Sequence, residues 1–445
     1  MKSPILLICL RYLWIGKDNK MMYRKNPDVK YRPEKEGFVF YVKKTRTLIK
    51  MDRYLFEFWD SFPNYKEFLQ SKKLDIDSFE DIVDIFVKHD LLESNLPYIN
   101  HGSIEYADCA NVQLKYPISV CLKITNKCNF RCIHCIQKSG NISRDEMSTN
   151  EIFNLVDELE RNNIFTLDIN GGECLMHPNI KEILSYCKGK QFDTVLSTNA
   201  SLVDEEMAFF LKKVGVKLVK VSMDSADEKV FDEIRGKGSY KKTIAGINHL
   251  IKTGIPVTLQ VAISKINFDS IEKIADFAIK MQIEAINYFL VVPAGRAENM
   301  YDVMLDKWEY ESLLDKIEYI KHIYKGVKIV SDSPLYNVYR QKNKIDEKTS
   351  CFCLAGKTGC VIKENGDVTP CPYFDIPIGN IRDNPTMLKK MWNDSELLNN
   401  LTKYSMLGDE CRKCKYVNGC FGGCRAAAYY MKGEITNKDP YCFLE

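Results

Sequence analysis

The sequence has no apolar run long enough to cross a bilayer and nothing resembling a secretory cleavage site, which argues against a membrane-spanning or exported protein. It also lacks a strong charge of either sign. With 63 Lys and Arg against 60 Asp and Glu, the net +3 argues neither for nor against nucleic acid. At 445 residues, 45% hydrophobic and 28% charged, the composition is that of a soluble globular protein. Its length allows roughly two to four domains with real cores. Cysteine is the residue not in short supply. There are seventeen, an odd number that suits a pure disulfide framework poorly, and nine lie between Cys351 and Cys442. A reducing cytoplasm with cysteines serving as metal ligands is the expectation. The opening MKSPILLICLRYLWIG is apolar but broken by Arg11. Residues 1–21 read as a weak signal-like segment, a packed extension or a start codon placed too early, with Met21 and Met22 as alternatives.

Three segments separate by pattern. In residues 22–110, GFVFYVKKTRTLIKM shows two β-rich runs around a turn at 43–46, a hairpin. Leu55, Phe58, Trp59 and Phe62 then fall at helical spacing, as do Phe79, Ile82, Val83, Phe86 and Val87, with Ser78 and Asp81 marking an N-cap. A hairpin with three short helices is the size of a winged-helix module. Its charge is polarised: residues 17–53 hold twelve Lys/Arg against five Asp/Glu, and residues 54–110 hold four against twelve. In residues 115–335 six strand candidates, ISVCLKIT, FTLDIN, DTVLST, KLVKVSM, VTLQVAIS and AINYFLVV, alternate with helical stretches such as TNEIFNLVDELERN. Repeated β–α units demand a parallel sheet with right-handed crossovers, and six units predict an open, partial (β/α)6 TIM-type barrel of the α/β class. Residues 345–445 are rich in Cys and Gly with little periodicity, which predicts a core organised by metal.

The first chemical motif is KITNKCNFRCIHC, where Cys128, Cys132 and Cys135 follow the first strand of the second segment. Ligands of parallel α/β sheets bind at the C-terminal strand ends. Three thiolates can hold three irons of a [4Fe–4S] cube and leave the fourth open to a non-protein ligand. The alternative is a zinc knuckle completed by His134 or a distant residue. The C-x3-C-x2-C spacing resembles the radical S-adenosylmethionine (SAM) superfamily, in which the methionine amino and carboxylate groups chelate the open iron. Later strand ends agree. Gly171, Gly172 and Glu173 resemble the family's GGE motif, with Cys174 in place of its usual proline. Ser197, Thr198 and Asn199 resemble TNG with the glycine replaced by Ala200. The resemblance implies Ser222 and Asp224 near the ribose, Arg235 on the methionine carboxylate, His134 near the adenine and VVPAGRA as a further contact. It also implies the chemistry: a reduced cluster cleaves the sulfonium to a 5′-deoxyadenosyl radical that abstracts hydrogen from an unactivated C–H.

The C-terminal pattern Cys353-x6-Cys360-x5-Gly366-x4-Cys371, then Cys411-x2-Cys414-x5-Cys420-x3-Cys424 and Cys442, resembles the SPASM extension of radical enzymes, as do GNI, Met391–Trp392 and GCFGGC. Zinc ribbons are the alternative. The resemblance implies two auxiliary [4Fe–4S] clusters, three in all. One would use Cys353, Cys360, Cys371 and Cys424, with Cys351 able to displace Cys353 or Cys360. The other would use Cys411, Cys414, Cys420 and Cys442. Full ligation would make them electron acceptors; an open iron on the first would bind a substrate thiolate.

Two features bear on the substrate. Sulfatase-maturating relatives place a catalytic aspartate directly after the cysteine that corresponds to Cys371; here Pro372 stands there, and Asp375 is three residues further on. The N-terminal segment resembles the PqqD-like precursor-recognition domains of peptide maturases, which bind a leader peptide as an added strand. Its basic hairpin suits an acidic leader, and its acidic helical half argues against DNA. The layout resembles sactipeptide synthases. It implies thioether crosslinking of a ribosomally made precursor peptide, with flavodoxin or ferredoxin as reductant and neither nucleic acid nor membrane as partner. Carbon–carbon crosslinking, a sulfatase-maturating activity, and a non-enzymatic iron–sulfur sensor or binding protein are the other readings. No residue stands out as general base.

Overall fold

Seven strands run parallel and in sequence order: β6 (Ser119–Lys123), β7 (Thr166–Asn170), β8 (Asp193–Thr198), β9 (Leu218–Ser222), β10 (Val257–Ile263), β11 (Ala285–Leu290) and β12 (Lys328–Ser331). The structure, a computed structural model, describes residues 24–34, 37–42, 47–51, 53–62, 83, 86–87, 89–93, 114–140, 145–345, 353, 355–382 and 384–444. The expected turn at 43–46, the Ser78 cap, the 1–21 extension and Cys351 lie outside these residues. Within them the chain divides into two compact units, Met1–Ala107 and Asp108–Glu445.

The larger unit is the partial barrel that the β–α alternation predicts. Its strands are buried on both faces, with Val120, Leu122, Leu167, Ile169, Leu196, Val219, Val221 and Leu259 wholly enclosed, as parallel strands covered by helices must be. The helices begin where caps dictate. Ser148 and Glu151 form a reciprocal capping box at the helix Thr149–Arg161, and Asp227 accepts the first amides of Glu228–Arg235. The six expected strands are present, and β12 is a seventh. At four residues, KIVS is too short to stand out by pattern.

The Cys-rich segment does not stand apart. Its strand β13 (Gly359–Ile362) pairs in parallel with β6, on the opposite edge from β7, and β14 (Asp367–Thr369) and β15 (Gly379–Asn380) extend the sheet antiparallel. Leu388, Trp392, Leu398, Tyr441 and Phe443 join the barrel's own hydrophobic cluster. The Trp392 indole donates to the Leu114 carbonyl at 2.9 Å, and Arg382 reaches Glu151 at 2.7 Å. The segment thus shares an apolar core with the barrel.

The smaller unit holds a meander, β2 (Val29–Pro33), β3 (Phe38–Val42) and β4 (Thr47–Met51), and a short pairing of β1 (Arg24–Lys25) with β5 (Leu92–Glu93). Among the described residues β2 and β4 each pair only with β3, leaving two outer edges. The helix Arg53–Asp60 lays Phe58 and Trp59 onto Phe40, Val42, Met51, Val83 and Phe86. Trp59 stands edge-on to Phe40 at 4.9 Å, and its indole N–H bonds the Leu91 carbonyl at 3.0 Å, so the polar end of the ring is not left bare.

Candidate functional site

The loop after β6 is caged before any ligand is considered. The Thr125 hydroxyl and the Asn126 amide donate to Glu146. The Gly140 amide donates to the Asn126 carbonyl, and the Ile133 amide to Ile234. Arg296, from the turn after β11, donates to the carbonyls of Cys132 and Ser139 at 2.8 and 2.7 Å. Cys128, Cys132 and Cys135 project from this frame as free thiols. Burial lifts Cys128 to about 11, with Glu173 and the two neighbouring thiols adding to it. Burial raises Cys132 as well, against the pull of Arg235. Neutral protein thiols of this kind become ligands only when a metal displaces their protons. Among the described residues no three His, Cys, Asp or Glu side chains close on a point where a single ion would sit. Three thiols on one caged loop are the donor set that three irons of a [4Fe–4S] cube take.

The two glycines after β7 are there to meet this loop. The Gly172 amide donates to the Thr125 carbonyl and the Glu173 amide to that of Lys127, each at 2.7 Å. A Cβ on Gly172 would collide with the carbonyls of Lys127 and Asn126. Glu173 is 1% exposed, and its carboxylate accepts from the Thr198 hydroxyl, the Asn199 amide and the Leu175 amide. It ties the β7 turn to the β8 turn and does not line the cavity. Asn199 carries the tie onward, donating to Asn129 of the cysteine loop at 2.9 Å. Ala200, where the family pattern has glycine, sits at φ 60°, a left-handed conformation that costs an L-residue energy.

At the end of β9, Ser222 lines the cavity but Asp224 lies behind it, wholly buried. Asp224 accepts from Arg235 Nε at 2.6 Å and from the Ala262 amide at 3.0 Å. Burial opposes its charge, yet the guanidinium outweighs burial and holds the carboxyl below its usual range. Arg235 in turn points Nη1 at the Cys132 sulfur, 3.7 Å away. His134 Nε2 stands 3.6 Å from Asp224; burial drives its imidazole down to about 4, so the ring is neutral.

These groups border one cavity of about 600 Å³. Cys128, Cys132, Cys135, His134, Gly171, Gly172, Ser197, Asn199, Ser222 and Arg235 line it, and Glu173 and Asp224 brace it from behind. Its wall also holds Asp168 and Lys220, paired at 2.7 Å, with Ser197 donating to Asp168 at 2.8 Å. Sequence reasoning missed this pair. The signal was there: a charge inside TLDIN and VKVS is out of place in strands buried on both faces, unless it points into a cavity.

The cavity also reaches Cys371 and Cys424. The charges that act on Cys424 include those of Cys353 and Cys371, so these three are brought together. Cys360 borders the same cavity, but none of these three is among the charges that act on it. It lies on β13 beside Val120 of β6, 4% exposed in the hydrophobic core, and the one thiol that acts on it is Cys121. Cys411, Cys414, Cys420 and Cys442 all line a second cavity of about 760 Å³.

A family model described as Radical SAM superfamily matches residues 122–278, and one described as an iron–sulfur cluster-binding SPASM domain matches residues 351–415. The AdoMet-dependent heme synthase of Methanosarcina barkeri is 30% identical over 73% of this chain and 96% of its own length. The mycofactocin maturase MftC of Mycolicibacterium smegmatis is 27% identical over 74% and 83%. Among solved structures, Streptococcus suis SuiB bound to its precursor peptide SuiA has the same fold over 95% of this chain and 100% of its own, at TM-score 0.71 and 17% identity. The anSMEcpe structure with bound AdoMet covers 73% of this chain at TM-score 0.59 and 20% identity. The chain therefore belongs to the radical SAM superfamily and carries a SPASM domain, and it uses a [4Fe–4S] cluster with S-adenosylmethionine and further iron–sulfur clusters in its C-terminal part.

Proposed function

We propose that this protein modifies a ribosomally made precursor peptide, joining a cysteine sulfur to a carbon of another residue. One observation carries the reading: a single cavity runs from the Cys128–Cys135 loop to Cys371 and Cys424, so a substrate in it would meet a radical source at one end and a second thiol set at the other. Cys128, Cys132 and Cys135 would hold the SAM cluster. Cys353, Cys371 and Cys424 would serve the first auxiliary cluster, and Cys411, Cys414, Cys420 and Cys442 the second. When bound, the reduced cluster and S-adenosylmethionine supply a 5′-deoxyadenosyl radical, which takes one hydrogen atom from an unactivated C–H bond.

The chain's own residues position and shield. Arg235, fixed by Asp224, offers a guanidinium to a carboxylate. His134, neutral, presents a hydrogen-bonding ring edge without charge. Phe130, Phe289, Val291 and Val292 line the cavity with apolar surface that keeps water from a reactive carbon. Forming a C–S bond from a C–H and an S–H removes two hydrogens from the peptide, one as an atom and one as a proton plus an electron. Residues 22–110 would act as the leader-binding domain. The β2–β3–β4 meander offers a sheet that a leader could join as an added strand, and Lys and Arg predominate over residues 17–53.

A second reading, a tetrapyrrole substrate, has the 30% identity to the heme synthase in its favour. That relative matches 73% of this chain, whereas the SuiB fold spans 95%. The larger span favours the peptide. Anaerobically reconstituted protein, given dithionite, S-adenosylmethionine and a short Cys-rich precursor peptide with an acidic leader, should release 5′-deoxyadenosine and lighten the peptide by two hydrogens per crosslink. Alkylation of the peptide's cysteines should fall in step. Turnover of a tetrapyrrole and not of the peptide would replace the first reading by the second.

A further inference from the structure

Arg425 opens the helix Arg425–Lys432 directly after Cys424, and its side chain is 4% exposed. One guanidinium nitrogen, Nη2, donates to the Asn437 carbonyl. The other two, Nε and Nη1, are buried with no hydrogen-bond partner among the described residues. A buried polar group left so costs about 1–3 kcal/mol, and a charged one more. The chain is shaped around it. Phe421, Gly422 and Gly423 all take positive φ (49°, 82° and 77°), wrapping the turn between Cys420 and Cys424 over the guanidinium. A Cβ on Gly422 would strike Nη1.

The position of this cation is unusual. Its electrostatic neighbours are Cys411, then Asp439, Cys353 and Cys424. Cys411 belongs to one C-terminal thiol set, and Cys353 and Cys424 to the other. Arg425 also comes first among the charges that act on Cys411. A guanidinium has five N–H donors in a rigid plane and no acceptor, so it can serve partners on two sides at once. The SAM end of the molecule holds a parallel: Arg235 points Nη1 at Cys132, but its Nε is spent on Asp224. Arg425 keeps two donors free between two sulfur-rich sites.

We infer that Arg425 is a shared positioning residue of the two auxiliary clusters, donating Nε–H and Nη1–H to sulfurs of both and raising both reduction potentials together. Hydrogen bonds to cluster sulfurs and nearby positive charge are the levers by which a protein sets such potentials. The inference rests on the cluster assignment above. Iron content of the wild type checks that assignment separately, and fewer than three clusters would overturn both.

The test is a redox titration of the reconstituted full chain followed by electron paramagnetic resonance. In Arg425→Met the oxidised-to-reduced ratio of both auxiliary clusters at a fixed potential should rise at least tenfold, about 59 mV for one electron. Arg425→Lys, which keeps the charge but loses the fork, should recover part of that. The SAM cluster should stay put in both. Unchanged potentials at full iron content, or a shift confined to one auxiliary cluster, overturn the proposal. Should Arg425→Met fail to load iron, the wild type grown with guanidino-15N arginine decides: nitrogen coupling to both reduced auxiliary clusters, abolished in Arg425→Lys, supports it, and coupling to neither or to one alone overturns it.

Discussion

The two cysteine fields of this molecule are built on opposite plans. Cys128, Cys132 and Cys135 stand within eight residues on one loop, and the rest of the barrel is spent on holding that loop: Glu146 from below, Gly172 and Glu173 from the β7 turn, Arg296 from the β11 turn. The C-terminal thiols come from residues 353 to 442, and no single loop presents them. There the frame is apolar, with Trp392, Leu398, Tyr441 and Phe443 packed into the barrel's own core. The first field is made by local hydrogen bonds and the second by tertiary packing. A local plan can be read along the chain; a tertiary one must be seen folded.

The largest effect that separates them is loss of one loop thiol. Cys128→Ala should abolish 5′-deoxyadenosine formation altogether and leave about eight irons of about twelve, four per cluster. The two C-terminal clusters should still be visible by electron paramagnetic resonance. If iron were lost from all three sites, the two fields would not be independent.

Next comes a contrast inside the second field. Cys371→Ala should remove or cripple the first auxiliary cluster and halt product formation. Cys360→Ala should keep full iron content and cost only about 1–2 kcal/mol of stability, as a small core truncation does. Iron analysis and denaturant unfolding of the two variants check this together. Loss of four irons in Cys360→Ala would return that residue to the ligand set.

How much of this was legible follows the same division. The strand candidates FTLDIN, DTVLST and VTLQVAIS lie where β7, β8 and β10 form, because β-rich runs alternating with amphipathic helices leave few alternatives. The loop cysteines, Gly171 and Gly172 line one cavity at the strand ends where spacing put them, whereas Arg235 was named only through the family resemblance. Cys360 was not. In sequence it stands between Cys353 and Cys371 like a member of the set, and only the fold shows that the thiol acting on it is Cys121 of β6. Nor did the motif at Glu173 and Asp224 reveal that both carboxylates are turned inward to hold other residues. The Asp168–Lys220 pair and the attachment of the C-terminal strands to β6 depend on non-local register, which one strand's pattern does not carry.

A smaller effect tests the hydrogen-bonded plan of the first field. Gly172→Ala places a methyl group against the Lys127 and Asn126 carbonyls, backbone atoms that cannot step aside. The strain should cost about 1–3 kcal/mol and shift the cysteine loop. Melting temperature and S-adenosylmethionine affinity should therefore fall together, with the C-terminal clusters intact. A lower melting temperature with unchanged affinity would mean that the loop keeps its shape without this contact.

The smallest effect probes the seam between the two plans. Glu151 completes the cap of the helix Thr149–Arg161 and receives Arg382 from the C-terminal segment at 2.7 Å. Burial works against its charge, but the bonds from Arg382 and Ser148 outweigh it and bring the carboxyl down to about 2. An acid whose folded value is depressed stabilises the fold fully above its unfolded value, near 4.5, and loses that contribution as pH falls toward 2. Both side chains are more than a quarter exposed, so solvent screening limits the pair to about 0.5–1 kcal/mol. Glu151→Gln should cost that amount in anaerobic urea unfolding, constant from pH 8 down to pH 5 and shrinking below 4.5. A penalty that already varied between pH 8 and pH 5 would show that another group, and not this carboxylate, carries the charge across the seam.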